Sequence, residues 1–279
     1  MSLLVRHRWE GGAALGLLTD EGVRSLPGSD LGELLRLESA EIREVLSDPG
    51  PVVVSVDRVE LLAPIDRQEV WAAGVTYRRS RDARLEESGG ADVYDRVYDA
   101  ARPELFFKSA GWRVVGPGDP IAIRSDSDWN LPEAELTLVV NSRGQVVGYT
   151  AGNDVSSRSI EGENALYLPQ AKVYDRACAL GPWIRPAWEV EDARFDIRMR
   201  IERAGAELSS GATSTAEMKR GFVDLVDWLT RAMSFPDGVL LMTGTGIVPP
   251  PDVSLRAGDR VVIEVGGIGV LANPVDVAG

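Results

Sequence analysis

Residues Leu131 to Asp154 read LPEAELTLVVNSRGQVVGYTAGND, two alternating apolar runs on either side of Asn141-Ser142-Arg143-Gly144. A short interruption rich in Asn, Ser and Gly between such runs closes a β-hairpin. Successive side chains of a strand point to opposite faces, so Glu133 and Glu135 share a face with Thr137, while Leu136, Leu138 and Val140 take the other. On the second arm Val147, Tyr149 and Ala151 are expected to continue the apolar face, and Gly148, Thr150, Gly152 and Asp154 the polar one. Folding the arms about the turn sets Asp154 beside Glu133, to within a residue or two of register.

Three like charges in one place are tolerated when they are solvated, share protons or hold a cation. An oxygen-only ligand set without His or Cys selects a hard ion, Mg²⁺ first, with Mn²⁺ or Ca²⁺ as alternatives. Gly148 and Gly152 leave space above the polar face. The competing reading of Glu133, Glu135 and Asp154 is a solvated acidic face on an exposed sheet.

Working outward, 279 residues suffice for a sizeable core, as one large domain or a large one with a small partner. The net charge of −13 argues against nucleic acid or an anionic membrane as the main partner and is consistent with a soluble enzyme. The single cysteine, Cys178, excludes an intrachain disulfide, and no apolar run is long enough to span a bilayer. Met1 to Trp9 lacks the continuous apolar stretch of a secretory signal, so a cytoplasmic location is expected. The one histidine, His7, lies in a first-strand candidate far from every other motif, which leaves little support for Ser-His or Cys-His nucleophiles or a His-rich zinc site.

Residues 1–64 read as a small α+β unit. Strand candidates Ala13–Leu18 and Val52–Val56 bracket a helix over Leu31–Leu46, capped by Asp30 and Glu33 and burying Leu31, Leu34, Leu35, Ile42 and Val45. The Pro-containing connector Leu61-Leu62-Ala63-Pro64 closes it, and 65–279 form the larger domain.

From Val70, VWAAGVTYRRSRDAR is an apolar strand, a Gly-containing turn and an Arg-rich helix, a common wall of an anion pocket. Any single one of Arg78, Arg79, Arg81 and Arg84 is read first as part of a solvated helix face, and the charged segment up to Asp99 is expected as a lid or arm. In ARPELFFKSA, Glu104 and Lys108 flank core strand residues; each is either exposed at a strand end or partly buried with a shifted pKa suited to acid/base work. Lys172 lies between Pro169 and a strand-like run ending at Gly181-Pro182, a place that by itself reads as that of a surface lysine. Ser214, Glu217, Met218, Phe222, Leu225, Val226 and Leu229 predict a capped amphipathic helix of about five turns. Val239–Met242 is a strand running into Thr243-Gly244-Thr245-Gly246, a loop whose amides and hydroxyls suit an anionic oxygen but which lacks the lysine of a P-loop. RAGDRVVIEVGGIGVLANPV alternates as paired strands around Gly266-Gly267.

The segments AGVTY, ELFFK, LPEAEL, VGYTAGNDVSSR, QAKVYD, LGPWI, MTGTG and GDRVVIEVGGIGVLANPV, in that order, resemble the fumarylacetoacetate hydrolase superfamily from about Val70 to the C-terminus. The resemblance implies an α+β fold with a rolled mixed β-sheet catalytic domain, a smaller N-terminal domain, and assembly as a homodimer or homotetramer. It also implies Mg²⁺ or a related ion on Glu133, Glu135 and Asp154, where the hairpin parity independently puts a metal.

Hydrolases of the superfamily show a GxNYxxH-like segment whose histidine helps activate water; here Gly74-Val75-Thr76-Tyr77-Arg78-Arg79-Ser80 puts serine at that place. Serine is no base near neutral pH, so the usual carbon–carbon hydrolysis is disfavoured. YDAARPELFFKSA, IRSDSDWNLPEAEL and ENALYLPQAKVY are most similar to the 2-keto-3-deoxy-D-arabinonate dehydratase branch. That branch implies Mg-dependent dehydration of a 2-oxo sugar acid to 2-oxoglutarate semialdehyde through a metal-stabilised enolate. Glu104 and Lys172 then divide the base and acid roles, and Tyr77, Arg81, Thr243, Gly244 and Thr245 hold the substrate. Acylpyruvate hydrolysis, oxaloacetate decarboxylation and catalytically silent binding of a metal or sugar acid are the alternatives.

Overall fold

The computed structural model describes residues 2–28, 30–87 and 93–278. In chain order its elements are β1 (Leu3–Trp9), β2 (Gly12–Thr19), β3 (Gly22–Ser25), α1 (Leu31–Leu35), α2 (Ser39–Ser47), β4 (Val52–Ser55), β5 (Leu61–Leu62) and β6 (Glu69–Gly74). There follow α3 (Arg78–Glu87), α4 (Val93–Asp99), β7 (Glu104–Ala110), β8 (Ile121–Arg124), β9 (Asn130–Leu131), β10 (Ala134–Val140), β11 (Val146–Asp154) and β12 (Ser156–Ser157). The chain ends with α5 (Arg158–Glu163), α6 (Leu168–Lys172), β13 (Cys178–Pro186), β14 (Asp196–Arg203), β15 (Ala206–Ser214), α7 (Phe222–Thr230), β16 (Val239–Met242), β17 (Arg260–Val265) and β18 (Gly269–Ala278).

One large sheet runs β4-β3-β2-β1-β13-β11-β10-β16-β6-β7, with β5 added on β1; a second runs β15-β14-β17-β18-β8. Most pairs are antiparallel, while β16 with β6 and β18 with β8 are parallel, so the fold is mixed α+β and dominated by strands.

The central hairpin β10–β11 pairs Glu135 with Gly152, Leu136 with Ala151, Thr137 with Thr150 and Leu138 with Tyr149. Its turn is held by Asn141, whose Oδ1 accepts the N–H groups of Arg143 (3.1 Å) and Gln145 (2.8 Å), with Gly144 at φ +75°. Leu136, Leu138, Tyr149 and Ala151 pack into the core formed with the second sheet, among Ile197, Met199, Ile263 and Leu271. On the other side Val139, Leu240 and Met242 pack against Leu31, Leu34, Leu35, Ile42 and Leu46 of α1 and α2. Both faces are therefore covered, and the carboxylate face is not a solvated one. A bulge where Val140 pairs with Val146 shifts the alternation, so Val147 joins the α1/α2 core instead of the face of Tyr149 and Ala151.

Four expectations from sequence change. The helix over 31–46 is two helices, because the carbonyls of Leu35, Arg36 and Leu37 are taken by Ser142 N–H (2.8 Å), Ser142 Oγ (3.3 Å) and Asn141 Nδ2 (2.9 Å) of the hairpin turn. Glu38 and Glu41 then form a new capping box for α2, while Asp30 caps α1 through the Glu33 N–H at 2.8 Å. The five-turn helix from Ser214 shrinks to α7; Ser214 caps only a short 3₁₀ turn, and the next residues are drawn into pairing with the β6–α3 connection, Tyr77 bridging Met218 and Lys219 N–H donating to the Thr76 carbonyl at 3.0 Å. Third, β13 continues through a cis Gly181-Pro182 bond to Pro186. Fourth, the β14–β15 hairpin has no counterpart in the sequence expectation.

The expected arm corresponds to α3 and α4, and residues 88–92 between them, with the Arg84 side chain, lie outside the described residues. The end of α4 is tied down by the ion pair of Asp99 with Lys219 and by Arg220, which donates to the carbonyls of Ala100 and Ala101.

Candidate active site and metal centre

Glu133 stands just before β10, Glu135 inside it, and Asp154 ends β11; Asp154 N–H donates to the Glu133 carbonyl at 3.0 Å. One carboxylate oxygen from each of the three lies within 4.8 Å of the others, and all three residues are buried. Gly152 faces Glu135, and a Cβ there would stand 2.4 Å from Thr137 Oγ1 and 2.8 Å from Met242 Cε, so the packing beneath the carboxylates requires glycine.

Cations reach this cluster from outside the hairpin. Lys172, the last residue of α6, is 2% exposed, and its Nζ donates to Glu133 Oε2 (2.9 Å), Asp154 Oδ2 (2.9 Å) and Ser156 Oγ (2.6 Å). Lys108 of β7 is 1% exposed; its Nζ lies 2.5 Å from Asp154 Oδ1 and donates to the carbonyls of Val155 (3.0 Å) and Lys172 (2.6 Å). Arg158, first residue of α5, puts Nη2 2.9 Å from Glu133 Oε1 and Nη1 3.5 Å from Glu161 Oε2.

The three carboxylates consequently differ. Burial alone would raise the Asp154 pKa, but Lys108 and Lys172 overcome it and hold the carboxyl below its ordinary value. Glu135 is pushed far above the carboxylate range by burial, then by Asp154 and Glu133, against which Lys172 and the Gly244 N–H (2.5 Å from Oε2) act only in part. Among the described residues Glu135 forms no ion pair. An all-oxygen triad whose middle member is a destabilised anion fits a divalent hard cation, with Glu133, Glu135 and Asp154 as the residues that would hold it.

A cleft opens over the triad. It is lined by Glu104, Lys172, Arg158, Glu161, Phe106, Leu168, Ser80, Gly244 and Thr245 besides the carboxylates. The Glu104 carboxylate lies directly over Gly74, where a Cβ would meet Glu104 Oε2 at 2.1 Å. Gly244 adopts φ +91°, which turns its N–H onto Glu135. Thr245 reaches the cleft with its hydroxyl 3.3 Å from the Ile247 carbonyl.

Of the remaining substrate candidates, Thr243 spends its hydroxyl on the Leu136 carbonyl (2.9 Å), and Arg81 lies on Asp82 (2.6 Å) and over the Tyr98 ring (4.9 Å). Tyr77 is buried behind Gly246, its phenol raised by burial and then by Glu135 and Glu217, and among the described residues its hydroxyl has no hydrogen-bond partner. None of Tyr77, Arg81 and Thr243 is in the cleft lining among the described residues. Ser80 is in the lining, with its hydroxyl donating to the Tyr77 carbonyl at 2.8 Å.

Sequence reasoning missed Arg158, Glu161 and Ser156, and left Lys108 open. One signal was present: only Lys108, Lys172 and Lys219 among the 30 basic residues are lysines. In a chain that uses arginine for nearly every cation, lysine marks a place for a compact ammonium instead of a planar fork. Two of the three converge here.

Residues 69–276 match the family described as fumarylacetoacetate (FAA) hydrolase C-terminal, and the chain belongs to this family. The chain is 49% identical over 242 residues to a probable 2-keto-3-deoxyxylonate dehydratase of Haloferax volcanii, covering 86% of this chain and 81% of the relative. It is 43% identical over 225 residues to the 2-dehydro-3-deoxy-D-arabinonate dehydratase of Saccharolobus solfataricus, covering 79% and 76%. A solved structure of 2-keto-3-deoxy-D-arabinonate dehydratase complexed with magnesium and 2,5-dioxopentanoate superimposes with a TM-score of 0.87 at 37% identity, over 100% of this chain and 99% of that one.

Proposed function

We propose that this chain is a hydro-lyase that dehydrates a 2-keto-3-deoxy sugar acid of the arabinonate or xylonate type to 2,5-dioxopentanoate (2-oxoglutarate semialdehyde), with Mg²⁺ as cofactor. The observation that carries the reading is the convergence of Glu133, Glu135 and Asp154 with Lys172 and Glu104 in one cleft. The relatives named as dehydratases, and the neighbour solved with magnesium and 2,5-dioxopentanoate, support the same reaction.

Held by the triad, Mg²⁺ supplies a Lewis acid for the 2-oxo end of the substrate, which acidifies the C3 protons. Glu104 and Lys172 then divide the proton work: one takes a C3 proton, and the other protonates the C4 hydroxyl, which leaves as water. Tautomerisation of the resulting C3–C4 alkene carries the C–H and O–H hydrogens of the C5 carbinol to C4 and C3 and leaves the aldehyde. Lys172 is held by Glu133, Asp154 and Ser156, so its ammonium is directed at the reacting end. Gly244 orients Glu135, and Thr245 and Arg158 are the polar groups nearest to hand for the substrate's oxygens. Tyr77, Arg81 and Thr243 enter this reading as supports of the cleft wall.

Ser80 supports dehydration over acylpyruvate hydrolysis, since its hydroxyl is committed to a backbone carbonyl and offers no base to a water. We take the enzyme further to be a cytoplasmic homodimer or homotetramer of pentose catabolism, with Mn²⁺ or Ca²⁺ as alternatives to Mg²⁺. Its small unit comprises residues 1–64 and its catalytic unit 65–279; the family match beginning at residue 69 supports that division.

Purified protein with Mg²⁺ is to be offered 2-keto-3-deoxy pentonates and hexonates, acylpyruvates and oxaloacetate, with NMR detection of products. Loss of water from a pentonate and appearance of an aldehyde proton is the expected result. Faster turnover of an acylpyruvate or of oxaloacetate would reverse the assignment.

A further inference from the structure

Lys108 is a buried ammonium for which the proposed reaction has no use. Its side chain is fully buried and is absent from the cleft lining among the described residues. A buried ammonium is strongly unfavourable unless paired and hydrogen-bonded, and it has three N–H donors to place. Here its Nζ is ion-paired with Asp154 Oδ1 at 2.5 Å and donates to the Val155 carbonyl at 3.0 Å and the Lys172 carbonyl at 2.6 Å.

We propose that Lys108 is the positioning residue of the site, a fixed cation that locks the metal ligand Asp154 and the proton-transfer residue Lys172 into one rigid unit. This inference rests on the dehydratase reading and deepens it. The contacts form a closed ring. Lys108 grips the backbone of Lys172, the Lys172 side chain returns to Asp154 Oδ2 at 2.9 Å, and Asp154 Oδ1 faces Lys108 again. With Oδ1 engaged by Lys108, the other oxygen, Oδ2, accepts from Lys172. The three members come from β7, from the end of β11 and from the C-terminus of the five-residue α6, which alone could not hold its last side chain in place.

The geometry also explains why this position is a lysine in an arginine-rich chain. A guanidinium brings five donors in a flat fork to a position that is fully buried and offers three acceptors, which leaves donors unsatisfied.

The test reads metal affinity and an NMR signature as well as turnover. Lys108→Met fills the same space without charge. Its Mg²⁺ affinity, measured by calorimetry, should fall by roughly 10–100-fold, the usual effect of removing a group that orients a metal ligand. Lys108→Ala should show the same loss, recovered by ethylammonium and not by tetramethylammonium, which has no N–H. An Mg²⁺ affinity in Lys108→Met within about threefold of the unmodified protein would overturn the proposal. Should these variants fail to fold, the intact protein still decides. With ¹⁵N-lysine labelling the three lysines give a simple spectrum, Lys219 being partly exposed and the other two buried. Both ammonium signals protected from solvent exchange should shift on Mg²⁺ addition; a protected signal that does not respond would overturn the proposal. Failure of the dehydratase reading looks different, namely an unmodified enzyme that binds Mg²⁺ but turns over no sugar acid.

Discussion

Two parts of the molecule build the site by different means: the β10–β11 hairpin, which carries the carboxylates, and the pair of β7 and α6, which carries the lysines. In the hairpin each carboxylate is placed by strand parity and by pairing with the adjacent arm, from Ala134 against Asn153 through Leu138 against Tyr149. Lys108 and Lys172 are placed by contacts 46 and 18 positions away along the chain, and neither has a hydrogen-bonding strand neighbour among the carboxylate residues. The hairpin therefore concentrates negative charge on its own, and the lysine side decides how much of it remains. Asp154 is neutralised from both of its oxygens, while Glu135 forms no ion pair among the described residues and is held toward its protonated form by burial. A site with one satisfied and one unsatisfied carboxylate is poised for a cation at the second.

The sharpest way to break this contrast is Glu135→Gln, which removes the carboxyl that must lose its proton to hold a cation. Mg²⁺ binding and turnover should be lost together, since the metal is the substrate's anchor. The metal-free protein should gain stability. Because the Glu135 pKa is raised in the fold, its contribution is fully present below its ordinary value of 4.5 and is lost as pH rises through the raised value. The melting temperature of the metal-free protein should accordingly fall with rising pH over that range, and Glu135→Gln should flatten the fall. Mg²⁺ affinity should run the other way, rising with pH as the proton leaves, and calorimetry in buffers of different ionisation enthalpy should record proton release on binding. An unchanged pH profile in Glu135→Gln would assign the raised pKa to another group.

A smaller effect separates the two proton-transfer candidates from the ligands. Lys172→Met and Glu104→Gln should each lower kcat by about a hundredfold or more, the usual size of general acid/base effects. Their metal affinities should differ. Glu104 is not one of the three carboxylates of the triad, so Mg²⁺ affinity should stay nearly unchanged there, whereas removing the Lys172 ammonium from between Glu133 Oε2 and Asp154 Oδ2 should tighten it. Near-normal kcat in Lys172→Met would remove that residue from the proton-transfer roles.

The smallest effect is expected far from the site. Asp30 caps α1 through the Glu33 N–H and pairs with Arg67 at 2.6 Å, and Asp30→Ala should cost about 1 kcal/mol of stability by urea denaturation. Turnover should not change, because α1 meets the hairpin through apolar packing and the turn at Asn141 instead of through the carboxylates. A parallel loss of kcat would show that the N-terminal helices tune the site.

The amino-acid sequence by itself determined the hairpin, its turn and the convergence of Glu133, Glu135 and Asp154, because strand alternation and turn chemistry act between near neighbours. It likewise carried the strands at Val239–Met242 and around Gly266-Gly267, and the family, through motifs spread along about three-quarters of the chain. Tertiary structure alone decided the break between α1 and α2, since the hairpin turn takes the carbonyls a continuous helix would use. It also shortened α7 through the pairing of Met218 and Lys219 with residues 76 and 77. In the site it decided that Lys108 is a buried partner of Asp154, that Arg158 pairs with Glu133, and that Thr243 and Arg81 spend polar groups on the Leu136 carbonyl and on Asp82. Their side chains answer to groups brought close only by the rolling of the sheet, and no periodicity along the chain records which distant acceptor a lysine will find.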